Sequence, residues 1–101
     1  MKLKEGVKVS GVQPEIILAL MVIQPLFDAI DVDFVITSCR DGKHSKNSKH
    51  YLGYAVDIRS REMDHLEQVA LAQAIRKALT PEYYLLIEAD HFHLQFNGSA
   101  L

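Results

Sequence analysis

The chain has 101 residues, of which 49% are hydrophobic and 24% are charged, and its formal net charge is −2. This length fits one domain, and this composition excludes a disordered chain, a collagen-like fibre and a coiled coil. The balanced charge provides no general attraction for nucleic acid, and the single cysteine, Cys39, excludes an internal disulfide.

The chain also lacks the pattern of a membrane protein. Its longest apolar run, residues 16–23, is far shorter than the roughly 20 residues that a membrane-spanning helix needs. Lys2 and Lys4 imitate the basic start of a signal peptide, but charged residues and Pro14 precede the apolar run and no clear cleavage site follows it. We therefore expect cytoplasmic synthesis without a secretion signal and no membrane insertion. The expected oligomeric state is a monomer.

The N-terminal half predicts an arm, a helix and a strand. Residues 1–11 are expected to form an arm or short strand. Pro14 fits the first turn of a helix, where its missing N–H costs nothing. Pro25 then predicts a kink or the start of a short second helix. Residues 33–38 are β-branched and aromatic, which is typical of a strand. The apolar face of the helix is predicted from helical spacing to comprise Ile17, Leu18, Met21, Val22, Leu26 and Ile30.

A polar loop over residues 40–50 comes next, and loops of this length are often functional. Residues 53–59 predict a second strand. Residues 61–79 predict a helix that is capped by Ser60. The apolar face of this helix is predicted to comprise Met63, Leu66, Ala70, Ala74 and Leu79.

Two further strands, Tyr83–Ile87 and His91–Phe96, are predicted with a turn near Asp90, before a frayed tail over residues 97–101. The order helix, strand, long loop, strand, helix, strand, strand predicts an α+β fold. Its helices are expected to pack on one face of a small, mainly antiparallel sheet.

Several polar residues occupy unusual positions in this scheme. Asp57 lies within an apolar strand, where a charge is costly unless it is paired or bound to a metal. His91 and His93 are two residues apart on a strand, so their side chains point to the same face. Catalytic zinc takes three protein ligands and leaves one position for water. His50, Asp57 and one of these two histidines supply such a set.

The same residues resemble a known family. Residues 48–57 match the pattern Ser-x-His-x-x-Gly-x-Ala-x-Asp, and residues 90–93 match Asp-His-x-His. Together they resemble the zinc D-alanyl-D-alanine carboxypeptidases and the phage L-alanyl-D-glutamate endopeptidases, whose fold is shared with the hedgehog signalling domain. The resemblance covers about residues 12–97. It implies a compact phage- or prophage-type hydrolase, similar to an endolysin, that degrades peptidoglycan at the bacterial cell wall or periplasm, with phage delivery as one route.

The resemblance also implies roles for individual residues. It implies that His50, Asp57 and His93 bind Zn²⁺, that Asp90 is the catalytic acid and base, and that His91 stabilises the developing oxyanion. The resemblance also implies that Arg40 holds a carboxylate or carbonyl of the peptide substrate, and that Ser48 forms a hydrogen bond to the substrate or to the loop of the site. Cys39 stands where family members carry Gly-Tyr, which places Arg40 one residue out of register.

Simpler interpretations exist for each of these residues. His50 and Asp57 also fit an ion pair, the two strand histidines also fit an edge facing water, and Asp90 also fits a turn. Glu88 competes with Asp90 as the base. Strict alternation places both carboxylates on the face of the sheet away from His91 and His93, so periodicity alone does not choose between them. The alternative function is a non-catalytic phage structural or binding module with a structural zinc, whose fourth ligand would be His44 or His91.

Overall fold

A five-stranded sheet with two helices forms the fold in the computed structural model, which describes residues 1–41 and 48–98. The strands are β1 (Lys2–Leu3), β2 (Val35–Ser38), β3 (Ala55–Arg59), β4 (Tyr83–Ile87) and β5 (His91–Phe96). Their order across the sheet is β1-β2-β3-β5-β4, and only β1 and β2 are parallel among these pairs. Helices α1 (Pro14–Ala29) and α2 (His65–Ala78) pack on one face. The predicted α+β class is confirmed.

The alternation of side chains along β3 and β5 divides the sheet into two faces. Val56 and Ile58 of β3, and Phe92 and Leu94 of β5, are fully buried in the core beneath the helices. Their neighbours Asp57, His91 and His93 therefore face the other side of the sheet. Most of the predicted loop, residues 42–47 with His44, and most of the predicted tail, residues 99–101, lie outside the described residues.

Helix α1 is continuous through Pro25, so no second helix begins there. Its predicted apolar face is largely wrong. The residues that are buried are Ile16, Ala19, Leu20, Ile23 and Phe27, whereas Ile17, Leu18, Met21 and Val22 are between 42% and 68% exposed. The helix is apolar around most of its circumference, so two stripes satisfy helical spacing and the pattern alone does not choose between them.

Helix α2 begins at His65 rather than at Arg61, because Asp64 caps it instead of Ser60. The Asp64 carboxylate accepts a hydrogen bond from the Glu67 backbone N–H at 2.8 Å, and the Glu67 carboxylate accepts one from the Asp64 N–H at 3.0 Å. The predicted apolar face of α2 is wrong at Leu66, which is 79% exposed, and at the exposed Ala70. The buried face consists of Gln68, Leu71, Ala72 and Ile75.

The buried Gln68 explains this difference. Its amide donates to the carbonyl oxygens of Ser60 at 3.1 Å and Met63 at 3.0 Å, so a polar side chain is satisfied inside the core. In the described ranges, no helix has both the length and the apolar character required to cross a membrane.

Candidate metal centre

Three side chains from separate segments meet on the face of the sheet opposite the helices. Asp57 of β3 and His93 of β5 are register partners, and His50 approaches them from the turn that precedes β3. Asp57 Oδ1 lies 3.1 Å from His93 Nδ1 and 3.3 Å from His50 Nε2, and the two imidazole nitrogens lie 3.3 Å apart. These three residues could hold a metal ion.

Partners on the outer side of each ring fix which nitrogen faces this group. His50 Nδ1 lies 2.7 Å from the Cys39 carbonyl oxygen, which only accepts hydrogen bonds, so Nδ1 carries the proton and Nε2 presents a lone pair. His93 Nε2 lies 2.7 Å from Gln95 Oε1, and the Gln95 amide nitrogen donates to Asn97 Oδ1 at 2.6 Å. This orientation assigns the proton of a neutral His93 to Nε2 and leaves Nδ1 as an acceptor.

Three acceptor atoms therefore converge with no donor of their own when both histidines are neutral. Such an arrangement requires a proton or a cation between them. Burial alone would raise the pKa of the Asp57 carboxyl, but the hydrogen bonds that the imidazoles of His50 and His93 donate when they are protonated outweigh it and hold this pKa well below its usual range. The hydrogen bond to Asp57 raises the pKa of His93 against the opposing effect of burial. The site thus favours positive charge at its centre.

The dimensions of the group fit zinc. Zinc–ligand distances of roughly 2.0–2.1 Å give a tetrahedral edge of about 3.3–3.4 Å, close to the observed 3.1–3.3 Å between the three atoms. The donor set of two imidazoles and one carboxylate suits zinc as well. Each ring also has the outer hydrogen bond that orients histidine ligands at metal sites. Within residues 1–41 and 48–98, no fourth acidic, His or Cys side chain joins this group.

His91 and Asp90 lie beside the three predicted ligands. His91 shares their face of the sheet, as its position two residues from His93 predicts, and its Nε2 lies 3.8 Å from Asp57 Oδ1. Its Nδ1 lies 2.7 Å from the carboxylate of Asp90, which is 74% exposed. The hydrogen bond with His91 lowers the pKa of Asp90. Both predicted catalytic residues are thus paired with each other at the edge of the group.

The prediction that Glu88 faces away from the histidines is wrong. Glu88 N–H donates to the His91 carbonyl at 2.9 Å, which extends the β4–β5 pairing by one step beyond Ile87 and Phe92. Glu88 is therefore opposite His91 on the same face, and its charge contributes to the raised pKa of His93. Strict alternation cannot be continued from Glu88 to His91, because the turn between β4 and β5 changes the face to which the following side chains point.

The two predicted substrate contacts occupy supporting positions in this structure. Ser48 Oγ accepts a hydrogen bond from the His50 backbone N–H at 3.1 Å. Arg40 donates through Nε to the Tyr51 carbonyl at 3.2 Å and through its terminal nitrogen to the Ser10 carbonyl at 3.1 Å. Both residues therefore hold the segment that carries His50.

Gly53 also positions this segment. Its φ is +80°, and a Cβ at this position would collide with the Gly11 carbonyl oxygen, so only glycine lets the turn approach the N-terminal arm so closely. The Gln13 N–H donates to the Gly53 carbonyl at 2.9 Å and secures the approach. The presence of glycine at this position of the motif is thus explained by local steric constraints.

Gln95, which orients His93, is not singled out by the sequence patterns. Alternation along β5 could have identified it, because it lies two residues beyond His93 on the same face. The carbonyl of Cys39 could not have been found in this way, since backbone groups carry no sequence signal. Comparisons of the chain with protein-family models, curated proteins and solved structures found no match.

Proposed function

We propose that this protein is a zinc metallopeptidase that hydrolyses peptide bonds in peptidoglycan stem peptides, as a D-Ala-D-Ala carboxypeptidase or an L-Ala-D-Glu endopeptidase. The observation that carries the proposal is the convergence of His50 Nε2, Asp57 Oδ1 and His93 Nδ1 within 3.3 Å of one another. The substrate class is supported by the two sequence motifs, whose order and spacing resemble those of the peptidases. The place of action is accordingly the bacterial cell wall.

Zinc bound there would supply a Lewis acid that polarises the scissile carbonyl and brings the pKa of water to about 7. The protein residues supply the remaining steps. His50 and His93 are held by the Cys39 carbonyl and the Gln95 amide, so the donor atoms need no rearrangement before they bind the ion. This preorganisation is the main contribution of the fold.

His91 and Asp90 provide proton transfer and charge stabilisation beside the ligands. Asp90 accepts a hydrogen bond from His91 Nδ1–H, which directs Nε2 toward the group that contains Asp57. In the protonated form, this Nε2–H would donate to the developing oxyanion. The exposed Asp90 carboxylate would take a proton during attack and return it to the leaving amine.

The direct test is digestion of defined peptidoglycan fragments by zinc-loaded protein, with the products identified by mass spectrometry. We expect one zinc per chain and cleavage of a single type of bond, both lost on chelation and both restored by added zinc. A fully zinc-loaded sample that cleaves no stem peptide would overturn the proposed activity.

A matched pair of variants assigns the proton carrier. Asp90→Asn is expected to lower kcat by about 100-fold or more while zinc remains bound, since general acid–base catalysis typically contributes this much. Glu88→Gln removes the competing carboxylate opposite His91 and is expected to retain most of the activity. The reverse result would move the role to Glu88.

The second candidate is a non-catalytic phage structural or binding module with a structural zinc. The observation that favours it is the distance of 3.8 Å between His91 Nε2 and Asp57 Oδ1. From this position, a change of side-chain rotamer would bring the imidazole of His91 to the ion as a fourth ligand. Structural zinc has four protein ligands, whereas catalytic zinc keeps one open position. Absorption spectra of the cobalt-substituted protein would distinguish these cases: the proposed enzyme predicts that His91→Ala leaves the ligand-field bands unchanged.

A further inference from the structure

A cleft of about 290 Å³ opens beside Asp57, one of the three predicted metal ligands, and its lining contains more cationic than anionic side chains. Asp57 and His91 form the side of the cleft that adjoins the metal centre, and Lys4, Arg59 and Arg61 contribute three cationic side chains to its lining. A peptide whose scissile bond lies at the metal centre would extend into this space.

The sheet places these cations next to the metal centre. Arg59 follows Asp57 by two residues on β3, so both share one face and lie about 7 Å apart along the strand. Arg59 is also the register partner of His91. Lys4 is carried to the cleft by the N-terminal segment, where its backbone N–H donates to the Ile36 carbonyl at 2.9 Å.

Lys4 and Arg59 have no acidic partner within the described parts of the chain, whereas the charge of Arg61 helps to lower the pKa of the nearby Asp90. Lys4, Arg59 and Arg61 form no side-chain hydrogen bond or ion pair there, whereas both acidic residues of the cleft are paired with imidazoles. Arg59 is partly buried as a residue, and its charge is not paired with an anion in the described parts of the chain. Its planar fork suits a carboxylate in particular.

We propose that Arg59, with Arg61 and Lys4, binds a free carboxylate of the substrate next to the scissile bond. This inference rests on the proposed peptidase function. It adds a requirement for the substrate residue on the amine side of the scissile bond. Its α-carbon, which bears the scissile nitrogen, must also carry an unmodified carboxylate. In stem peptides this chemistry occurs at a terminal D-alanine and at a γ-linked D-glutamate, so the cleft recognises a feature common to both bond types.

The test compares substrates that differ only in this group. For the D-Ala-D-Ala arm, these are a peptide ending in D-alanine and its C-terminal amide. For the L-Ala-D-Glu arm, they are a fragment with γ-linked D-glutamate and the same fragment with D-isoglutamine. We expect the wild-type protein to favour the carboxylate form of one pair by about 10- to 100-fold in kcat/KM. The arm that is cleaved identifies the source of the carboxylate.

Charge-neutralising variants then assign the preference to the cleft. Arg59→Gln and, at an exposed position, Arg61→Gln are each expected to reduce the preference for the carboxylate substrate over its amide by about 10-fold or more, measured as the ratio of their kcat/KM values. Lys77→Gln, at an exposed position on α2, removes the same charge far along the chain and is the control. Equal cleavage of acid and amide by the wild-type protein would overturn the inference but not the peptidase function.

A binding measurement keeps the two proposals separable. Small ligands that carry the carboxylate alone are titrated into zinc-loaded protein and followed by NMR shifts. They are N-acetyl-D-alanine, N-acetyl-D-glutamate with a free α-carboxylate and an amidated side chain, and the α-amide of each. Binding of an acid but not its amide, weakened at least 10-fold by Arg59→Gln or Arg61→Gln, supports the carboxylate site even if no peptide is cleaved. Absence of acid-selective shifts at these cations would overturn it.

Discussion

Asp57 and His93 are partners in the β3–β5 register, and 3.1 Å separates the carboxylate oxygen of one from the ring nitrogen of the other. Strand pairing thus fixes the positions of two of the three predicted ligands. His50 alone comes from a turn, and its position depends on the Cys39 carbonyl and the Ser48 hydroxyl.

Loss of any one of the three ligands should abolish stoichiometric zinc binding. His50→Ala and Asp57→Asn each remove one of three donors, which we expect to weaken binding by more than the roughly 10- to 100-fold that an outer hydrogen-bond partner contributes. Zinc content after dialysis and calorimetric titration measure this. His65→Ala, at an exposed position on α2, is the matched control and should bind zinc normally. Full zinc occupancy in Asp57→Asn would contradict the site.

Gln95 is expected to matter for zinc although it is not a ligand. Gln95→Leu removes the acceptor that lies 2.7 Å from His93 Nε2, so the ring loses its preferred tautomer and orientation. Zinc affinity should fall by about 10- to 100-fold while the free energy of unfolding of the metal-free protein changes little. Gln73→Leu, at an exposed position on α2, should leave affinity unchanged. Equal affinities for the two variants would exclude an orienting role.

The fold class and the grouping of His50, Asp57 and His93 could be predicted from the sequence, whereas the buried face of each helix could not. The strands Tyr83–Ile87 and His91–Phe96 have the predicted bounds, because their β-branched, aromatic and apolar runs are bounded by turn residues. In α2, by contrast, the apolar Leu66 lies outside and the polar Gln68 inside. Tertiary hydrogen bonds to Ser60 and Met63 decide this, and no local pattern contains them.

Two leucines of α2 should respond very differently to truncation. Leu71 is 4% exposed and Leu66 is 79% exposed. Leu71→Ala is expected to lower the free energy of unfolding by about 2–5 kcal/mol through lost burial and a cavity. Leu66→Ala should change it by less than about 0.5 kcal/mol. Urea denaturation measures both, and similar losses would mean that the helix packs on the face predicted from the sequence.

The N-terminus of α2 offers a second test of stability. Asp64→Ala removes the acceptor of the Glu67 N–H and should cost about 1 kcal/mol. Ser60→Ala should be close to neutral or slightly stabilising, because the buried Ser60 hydroxyl has no hydrogen-bond partner in the described part of the chain. A larger loss for Ser60→Ala than for Asp64→Ala would restore Ser60 as the cap.

The thiol of Cys39 should be inert in the folded protein. Burial, together with the charges of Asp41 and Asp57, raises its pKa to about 12. At pH 8 the group therefore stays almost wholly protonated, whereas an ordinary thiol with a pKa of about 8.5 is partly ionised. Reaction with an aromatic disulfide reagent should be at least about 100-fold slower than in guanidinium chloride. Rapid labelling under native conditions would show that this segment opens readily.

The alternation along β5 has a consequence for engineering. If β5 shifted its register against β3 by one residue, Phe92 and Leu94 would face water. The imidazoles of His91 and His93 would then face the hydrophobic core. A redesigned sequence that preserves the register of β5 against β3 would therefore also keep His91 and His93 on the face opposite the core.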